Sequence, residues 1–257
     1  MASGPMQTCC VSGVLHEGTP VGEVKDIGNT RAYFAHPPAS STSTSTHAIL
    51  ILTDVYGFTF PNTRLIADNF ASLGYLTVIP DLFHGAEVPF PPPSDFNLQT
   101  YINDTMPRFN TVDPIIESVI KVLREDMGVK RLGAVGYCFG GKYVCRWLRE
   151  GMGKVDVGYV AHPSFVEREE LQGIEGALSI AAAEVDEIFT VAKRYETEEI
   201  LTKKKATYQI FLYSGVEHGF AVKGHMSTAK ARFAKEQAFL QAVAWFDEYV
   251  KKDKSGL

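Results

Sequence analysis

Leu132-Gly133-Ala134-Val135-Gly136-Tyr137-Cys138-Phe139-Gly140-Gly141 is the stretch on which the fold turns. Leu132 to Val135 reads as a short strand. It leads straight into Gly136-Tyr137-Cys138-Phe139-Gly140, and Gly141 to Arg149 continues with helical character. This is the G-x-S-x-G nucleophile-elbow pattern with Cys in the Ser position. So tight a strand-to-helix turn strains the backbone of its central residue, and the positions two away must be Gly to avoid collision. The strain points the Cys138 side chain into the site. The same turn points the Phe139 N–H and the helix N-terminus at the sulfur, which favours a thiolate and later an oxyanion. A free cysteine is most often a buried, inert thiol; the strand before and the helix after weigh toward a reactive one.

An elbow of this kind requires an acid and then a histidine downstream, each just after a strand. Ala177 to Ala182 reads as a strand and runs into Glu184-Val185-Asp186-Glu187. Tyr208 to Tyr213 reads as another and runs into Ser214-Gly215-Val216-Glu217-His218-Gly219-Phe220. Asp186 is the expected orienting acid, with Glu184 and Glu187 as rivals, and His218 the expected base. The remaining chain alternates in the same way. Ile49 to Thr53 is a continuous apolar strand, Thr63 to Leu73 a helix closed by Gly74, Tyr75 to Ile79 a strand, Val112 to Leu123 a helix and Val155 to Ala161 a strand. Phe239, Val243, Phe246 and Val250 mark an amphipathic C-terminal helix, and Lys203 to Lys205 the solvated end of another.

Apolar strands alternating with helices predict an α/β fold, a mostly parallel central sheet with helices on both faces and no large separate lid domain. One domain over residues 1–257 is expected, with residues 1–30 as an N-terminal segment. Residues 39–46, rich in Ser and Thr, are read as an exposed hairpin loop between the strands Arg31 to Ala35 and Ala48 to Thr53. In such sheets ligands sit beyond the carboxyl ends of the strands. That filter draws in Asp54, Val55 and Tyr56 after one strand, with the Val55 N–H as second oxyanion donor. It also draws in His84 and His162 as residues that could face the pocket, and Phe220.

The 257 residues are 45% hydrophobic and 21% charged, with a formal net charge of -5, which excludes a disordered chain and argues against nucleic acid or an anionic membrane as partner. No run approaches a membrane span, Met1 to Cys10 lacks the apolar core of a secretory signal, and a cytoplasmic location is expected. The four cysteines, Cys9, Cys10, Cys138 and Cys145, form no CxxC pair and none sits beside His at ligand spacing, so no metal and no cofactor is expected. Only Cys138 is assigned to chemistry.

Thr53-Asp54-Val55-Tyr56-Gly57, Gly74-Tyr75 with Val78-Ile79-Pro80-Asp81-Leu82, Gly136 to Gly141, Asp186 and Glu217-His218-Gly219-Phe220 together resemble the dienelactone hydrolase family of α/β-hydrolases. Ala161-His162-Pro163-Ser164-Phe165 resembles its fungal-type branch. The resemblance implies a Cys138-His218-Asp186 triad and an acidic residue, here Asp54 where the family typically has Glu, that hydrogen-bonds the resting thiol. It implies hydrolysis of an ester, lactone or thioester in a small molecule, by a monomer or homodimer. Two arginines that clamp a substrate carboxylate in the family are replaced by His84-Gly85-Ala86 and Ala221-Val222-Lys223. With Phe83, Phe90, Phe165 and Phe220 nearby, this points to a different, more aromatic substrate. Lyase or isomerase chemistry, or ligand sensing without turnover, are the alternative uses of the same pocket.

Overall fold

Strands that are apolar along their whole length must be covered on both faces, and the computed structural model, which describes residues 1–38, 46–152 and 155–252, covers them. Eight strands form one sheet: β1 (Glu23–Ile27), β2 (Thr30–Ala35), β3 (His47–Leu52), β4 (Leu76–Pro80), β5 (Arg131–Tyr137), β6 (Val157–Ala161), β7 (Ala177–Val185) and β8 (Tyr208–Glu217). Their order is β1-β2-β4-β3-β5-β6-β7-β8, and only β2 runs against the rest. Ile49, Leu50, Ile51 and Leu52 of β3 are fully buried. At roughly 1.5 to 3 kcal/mol per large aliphatic side chain, that run alone is worth on the order of 6 to 12 kcal/mol of transfer free energy before entropy is subtracted.

The helices are α1 (Pro61–Ser72), α2 (Leu98–Thr100), α3 (Phe109–Lys121), α4 (Phe139–Trp147), α5 (Arg168–Gln172), α6 (Val191–Lys204), α7 (Phe220–Lys223) and α8 (Ala229–Phe246). A Cβ on Gly133 of β5 would strike Phe246 of α8, while one on Gly158 of β6 would strike Val144 of α4. The neighbours Gly158 and Ala134 are paired in register, so Gly133, one residue along, faces the opposite side. Helices α8 and α4 therefore cover opposite faces. Helix α1 joins α8 through Phe70 and Phe239, whose ring centroids are 4.8 Å apart. Helix α3 joins α4 through Asp113, which accepts from Arg146 Nε at 2.7 Å and Trp147 Nε1 at 3.1 Å.

The hairpin expected between Arg31 to Ala35 and Ala48 to Thr53 does not form. β4 pairs with both β2 and β3 and lies between them, so the connection crosses over an intervening strand. Two neighbouring strand signals were read as paired, but β3 is apolar enough to require a central place, and the equally buried β4 is inserted between it and β2. Residues 39–45 of that connection lie outside the described residues. Among the described residues no helix is long and apolar enough to cross a membrane.

The N-terminal segment is a strap laid over the carboxyl ends of the strands. Ala2 and Ser3 N–H groups donate to Val166 O, Gly4 N–H to Ile188 O, and Phe165 N–H to Gly4 O. A 3-10 turn at Thr8–Val11 follows, and Val14 N–H donates to Lys223 O at 3.0 Å.

Candidate active site

Cys138 stands between β5 and α4 with φ +50° and ψ −109°, the strained elbow its neighbours imply. The flanking glycines are required by contact. A Cβ on Gly140 would lie 1.9 Å from Leu52 O, and one on Gly136 would lie 2.6 Å from Gly140 O. Helix α4 thus starts hard against the end of β3, and its first N–H, that of Phe139, has no partner in a preceding turn. Val55, after β3, is buried and its N–H has no backbone acceptor among the described residues. The two donors expected for an oxyanion thus stand on the loop after β3, for Val55, and at the first residue of α4, for Phe139.

Asp186 and His218 come together at the ends of the adjacent strands β7 and β8. A register shift between Ala183 and Val185 brings Val185 opposite Glu217, and the next residues pair through side chains. His218 Nδ1 is 3.0 Å from Asp186 Oδ2, and Asp186 Oδ1 accepts from the N–H groups of Ile188 and Phe189 at 2.8 and 2.9 Å. The rivals are elsewhere: Glu184 is exposed and accepts from Ser214 Oγ and Gly215 N–H, and Glu187 and Glu217 are exposed. A ring nitrogen of His218 and the sulfurs of Cys138 and Cys10 lie within 4.8 Å of one another, all buried.

The electrostatics favour an ion pair. Burial alone would raise the Cys138 thiol, but a hydrogen bond from Cys10 and the nearby His218 imidazolium hold it well below the ordinary range. Burial alone would lower His218, but the Cys138 sulfur and the Asp186 carboxylate outweigh it and push the imidazole up to about 10. The direction for both is thiolate with imidazolium.

Asp54 is fully buried, and burial raises its carboxyl to about 6 against the opposing pull of Lys223. Its Oδ1 accepts from Tyr56 N–H at 3.1 Å, while its Oδ2 has no partner among the described residues. The Tyr56 ring packs on Phe60 and edge-on to Phe90, with its hydroxyl buried. His162, at φ +40°, is buried with its ring 4.8 Å from that of His218, and burial keeps it neutral. Phe220 packs between Tyr213 and His162. These four lie around the expected centre, but among the described residues Asp54 does not make the hydrogen bond expected to the Cys138 thiol, which meets Cys10 and Ser164 instead.

His84 does not. Its φ of +51° turns it outward, where the exposed ring meets Thr30 Oγ1 of β2 at 3.2 Å, beside the β1–β2 turn. A strand end on the antiparallel side of the sheet satisfies the sequence filter without facing the site.

Three residues were missed. Ser164 Oγ lies 3.2 Å from Cys138 Sγ; it follows β6, where the strand-end filter would have found it. Lys223 is buried, donates to Cys9 O at 3.3 Å and lies 6.0 Å from the Tyr56 ring, so one cation does occupy the site although the arginine pair is absent. Cys10 Sγ lies 3.5 Å from Cys138 Sγ, and nothing in its local sequence announces this. A cavity of about 230 Å³ lined by Ser12, Gly13, Glu217, His218, Phe220 and Lys223 opens beside the strap.

Comparison with known proteins identifies the family. Residues 30–250 match the model of the dienelactone hydrolase family. Hydrolase pyvD of Aspergillus violaceofuscus is 46% identical over 252 residues, covering 98% of this chain and 100% of that protein. Hydrolase tropI of Talaromyces stipitatus is 46% identical over 260 residues, with the same coverage of 98% and 100%. A crystal structure of a dienelactone hydrolase-like promiscuous phosphotriesterase from metagenomic libraries superposes with a TM-score of 0.69 at 16% identity, over 89% of this chain and 98% of that one. The family model spans most of the chain and the fold agrees with it: the chain belongs to the dienelactone hydrolase family, on the α/β-hydrolase fold.

Proposed function

We propose that Cys138 is the nucleophile of a thiol hydrolase that opens an ester or lactone, with His218 as base and acid and Asp186 as the group that orients it. That the chain is a hydrolase of ester or lactone bonds follows from its family; the proposal concerns the attacking group and the route of the proton. The observation that carries it is the elbow thiol beside the His218–Asp186 pair, whose side chains meet at 3.0 Å.

In the first half-reaction the thiolate adds to the carbonyl carbon, and the oxygen gains negative charge within reach of the Val55 and Phe139 N–H groups. The tetrahedral species collapses, the C–O bond breaks, and the departing alkoxide takes the proton from His218. For a lactone it stays tethered to the acyl group. Water then gives a proton to His218 and adds to the thioester, and Cys138 leaves as thiolate. Asp186 holds the imidazole with Nδ1–H toward itself and Nε2 toward the sulfur. No step calls on a cofactor. The aromatic cluster of Tyr56, Phe60 and Phe90 favours a substrate with an aromatic or extended planar part, and Lys223 favours an oxygen-rich one.

Mass spectrometry of the protein quenched during turnover of aryl acetates and aromatic lactones tests this. The expected result is an acyl adduct on Cys138 that forms and clears, and that Cys138→Ala abolishes together with turnover. Retained turnover in Cys138→Ala overturns the assignment, and binding without any adduct would favour sensing.

A further inference from the structure

We propose that Cys10 and Cys138 form a reversible disulfide that switches the enzyme off, with Cys10 as the resolving thiol when a hydroperoxide oxidises the nucleophile. Two buried thiols in contact at 3.5 Å, one on the strap and one on the elbow, need only close to bonding distance. They are 128 residues apart in sequence, so the bond would join the N-terminal strap to the centre of the sheet. The other two cysteines do not share this setting: Cys145 is buried in α4, where burial raises its thiol, and Cys9 is half-exposed.

The chemistry needs a thiolate, a proton donor and a second thiol, and all three converge here. The Cys138 thiolate attacks one oxygen of the hydroperoxide and the O–O bond breaks. The departing alkoxide, or hydroxide from hydrogen peroxide, takes the His218 proton and leaves as alcohol or water. Cys138 is now a sulfenic acid. The Cys10 sulfur attacks the Cys138 sulfur, the S–O bond breaks, and the hydroxyl leaves with the Cys10 proton as water. Two thiols have lost two electrons and the peroxide has gained them. The electrostatics that prepare Cys138 for a carbonyl prepare it equally for a peroxide.

The switch has a mechanical side. Cys138 has no exposed surface, and the strap lies over it, held by Lys223 Nζ on Cys9 O and by Val14 N–H on Lys223 O. The turn at Thr8–Val11, which carries Cys10, lies against the Cys138 sulfur. A Cys10–Cys138 bond would consume the nucleophile and pin that turn in place, while protecting the sulfur from irreversible oxidation.

The inference rests on the reading of Cys138 as a reactive thiolate, and its readout is separate from turnover. The full-length protein is treated with tert-butyl hydroperoxide in the presence of a chelator, which removes any ion held by the same sulfurs and His218. Free thiols are then alkylated and the peptides mapped. The expected result is a linked peptide pair carrying Cys10 and Cys138, free thiols falling from four to two, and loss of ester hydrolysis to the Cys138→Ala background with full recovery on adding dithiothreitol. Cys10→Ala, compared with its own rate before oxidation, should accumulate dimedone-reactive sulfenic acid on Cys138 and lose recovery as oxidation proceeds. Sulfenic acid persisting on Cys138 in the wild type with Cys10 still free overturns the proposal, as does a Cys9–Cys10 link or no oxidation of Cys138 at all. Should Cys138→Ala still hydrolyse ester while the wild type forms the link, the assignment of Cys138 as nucleophile falls and the thiol chemistry of the link stands.

Discussion

Replacing Asp186 by Asn removes one charge and leaves the shape intact, so the consequence can be worked from the contacts. Asp186 Oδ1 is held by two backbone N–H groups, of Ile188 and Phe189, which would capture the Asn carbonyl oxygen. The amide NH2 is then left facing His218 Nδ1, where Oδ2 had been 3.0 Å away. An NH2 cannot accept from Nδ1–H, so the imidazole shifts its proton to Nε2 and can no longer take one from the Cys138 thiol. The imidazolium also loses a Coulomb partner worth about 5.5 kcal/mol at that distance and an effective dielectric of about 20. Part of this is returned by solvent and the amide dipole, leaving a loss of roughly 4 to 5 kcal/mol in the transition state. That corresponds to a fall in kcat/KM of about 10³ to 10⁴. The assay is p-nitrophenyl ester hydrolysis, with thiolate absorbance followed against pH. The thiolate signal at neutral pH should fall as His218 becomes neutral. A loss of less than about tenfold in a variant with unchanged circular dichroism would refute the orienting role of Asp186.

Two further predictions follow from groups around the thiol. The Asp54 carboxyl, raised by burial from 3.8 to about 6, binds its proton more tightly folded than unfolded, so it favours the folded state below about pH 4 and loses that contribution as pH rises through about 6. The unfolding free energy of the wild type minus that of Asp54→Asn should therefore fall by roughly 2 to 2.5 kcal/mol between about pH 4 and about pH 7 in urea titrations, and a pH-independent difference would contradict the burial argument. Ser164→Ala removes a hydroxyl 3.2 Å from the Cys138 sulfur. Losing a hydrogen bond to a charged acceptor should move the thiolate midpoint up by roughly one to two pH units in the rate of iodoacetamide alkylation, and an unmoved midpoint would show that the hydroxyl donates elsewhere.

The elements most legible from the chain were the strands buried on both faces, although β8, more exposed, was read as well. β3, β5 and β7 are continuous apolar runs because both faces are covered, and their periodicity cannot be mistaken for a surface segment. β1, Glu23-Val24-Lys25-Asp26-Ile27, was not legible, since an edge strand with charges at three of five positions has little apolar signal. Helix α5 has only five residues, too few to show a period.

The candidate site divides along the same line. Cys138, Asp186 and His218 were readable because each sits directly after a strand, and in a parallel sheet the strand ends converge by construction. The glycines around Cys138 were readable because a tight turn is a local steric problem, now seen as a Cβ clash with Leu52 O. His84 misled because the rule reports only the end of a strand, whereas the direction of a side chain depends on a backbone angle and on what stands beside it. Lys223 and Cys10 lay beyond the sequence for another reason. Their place at the site depends on a strap that crosses the sheet and returns to α7, a packing of residues 128 or more positions apart that no local pattern encodes. The sequence by itself determined the buried strands of the sheet and the turn that carries Cys138, because strand burial and turn sterics are local. Only the tertiary structure decided what closes over the sulfur, because that depends on where a polar, aperiodic N-terminal segment finds its hydrogen bonds.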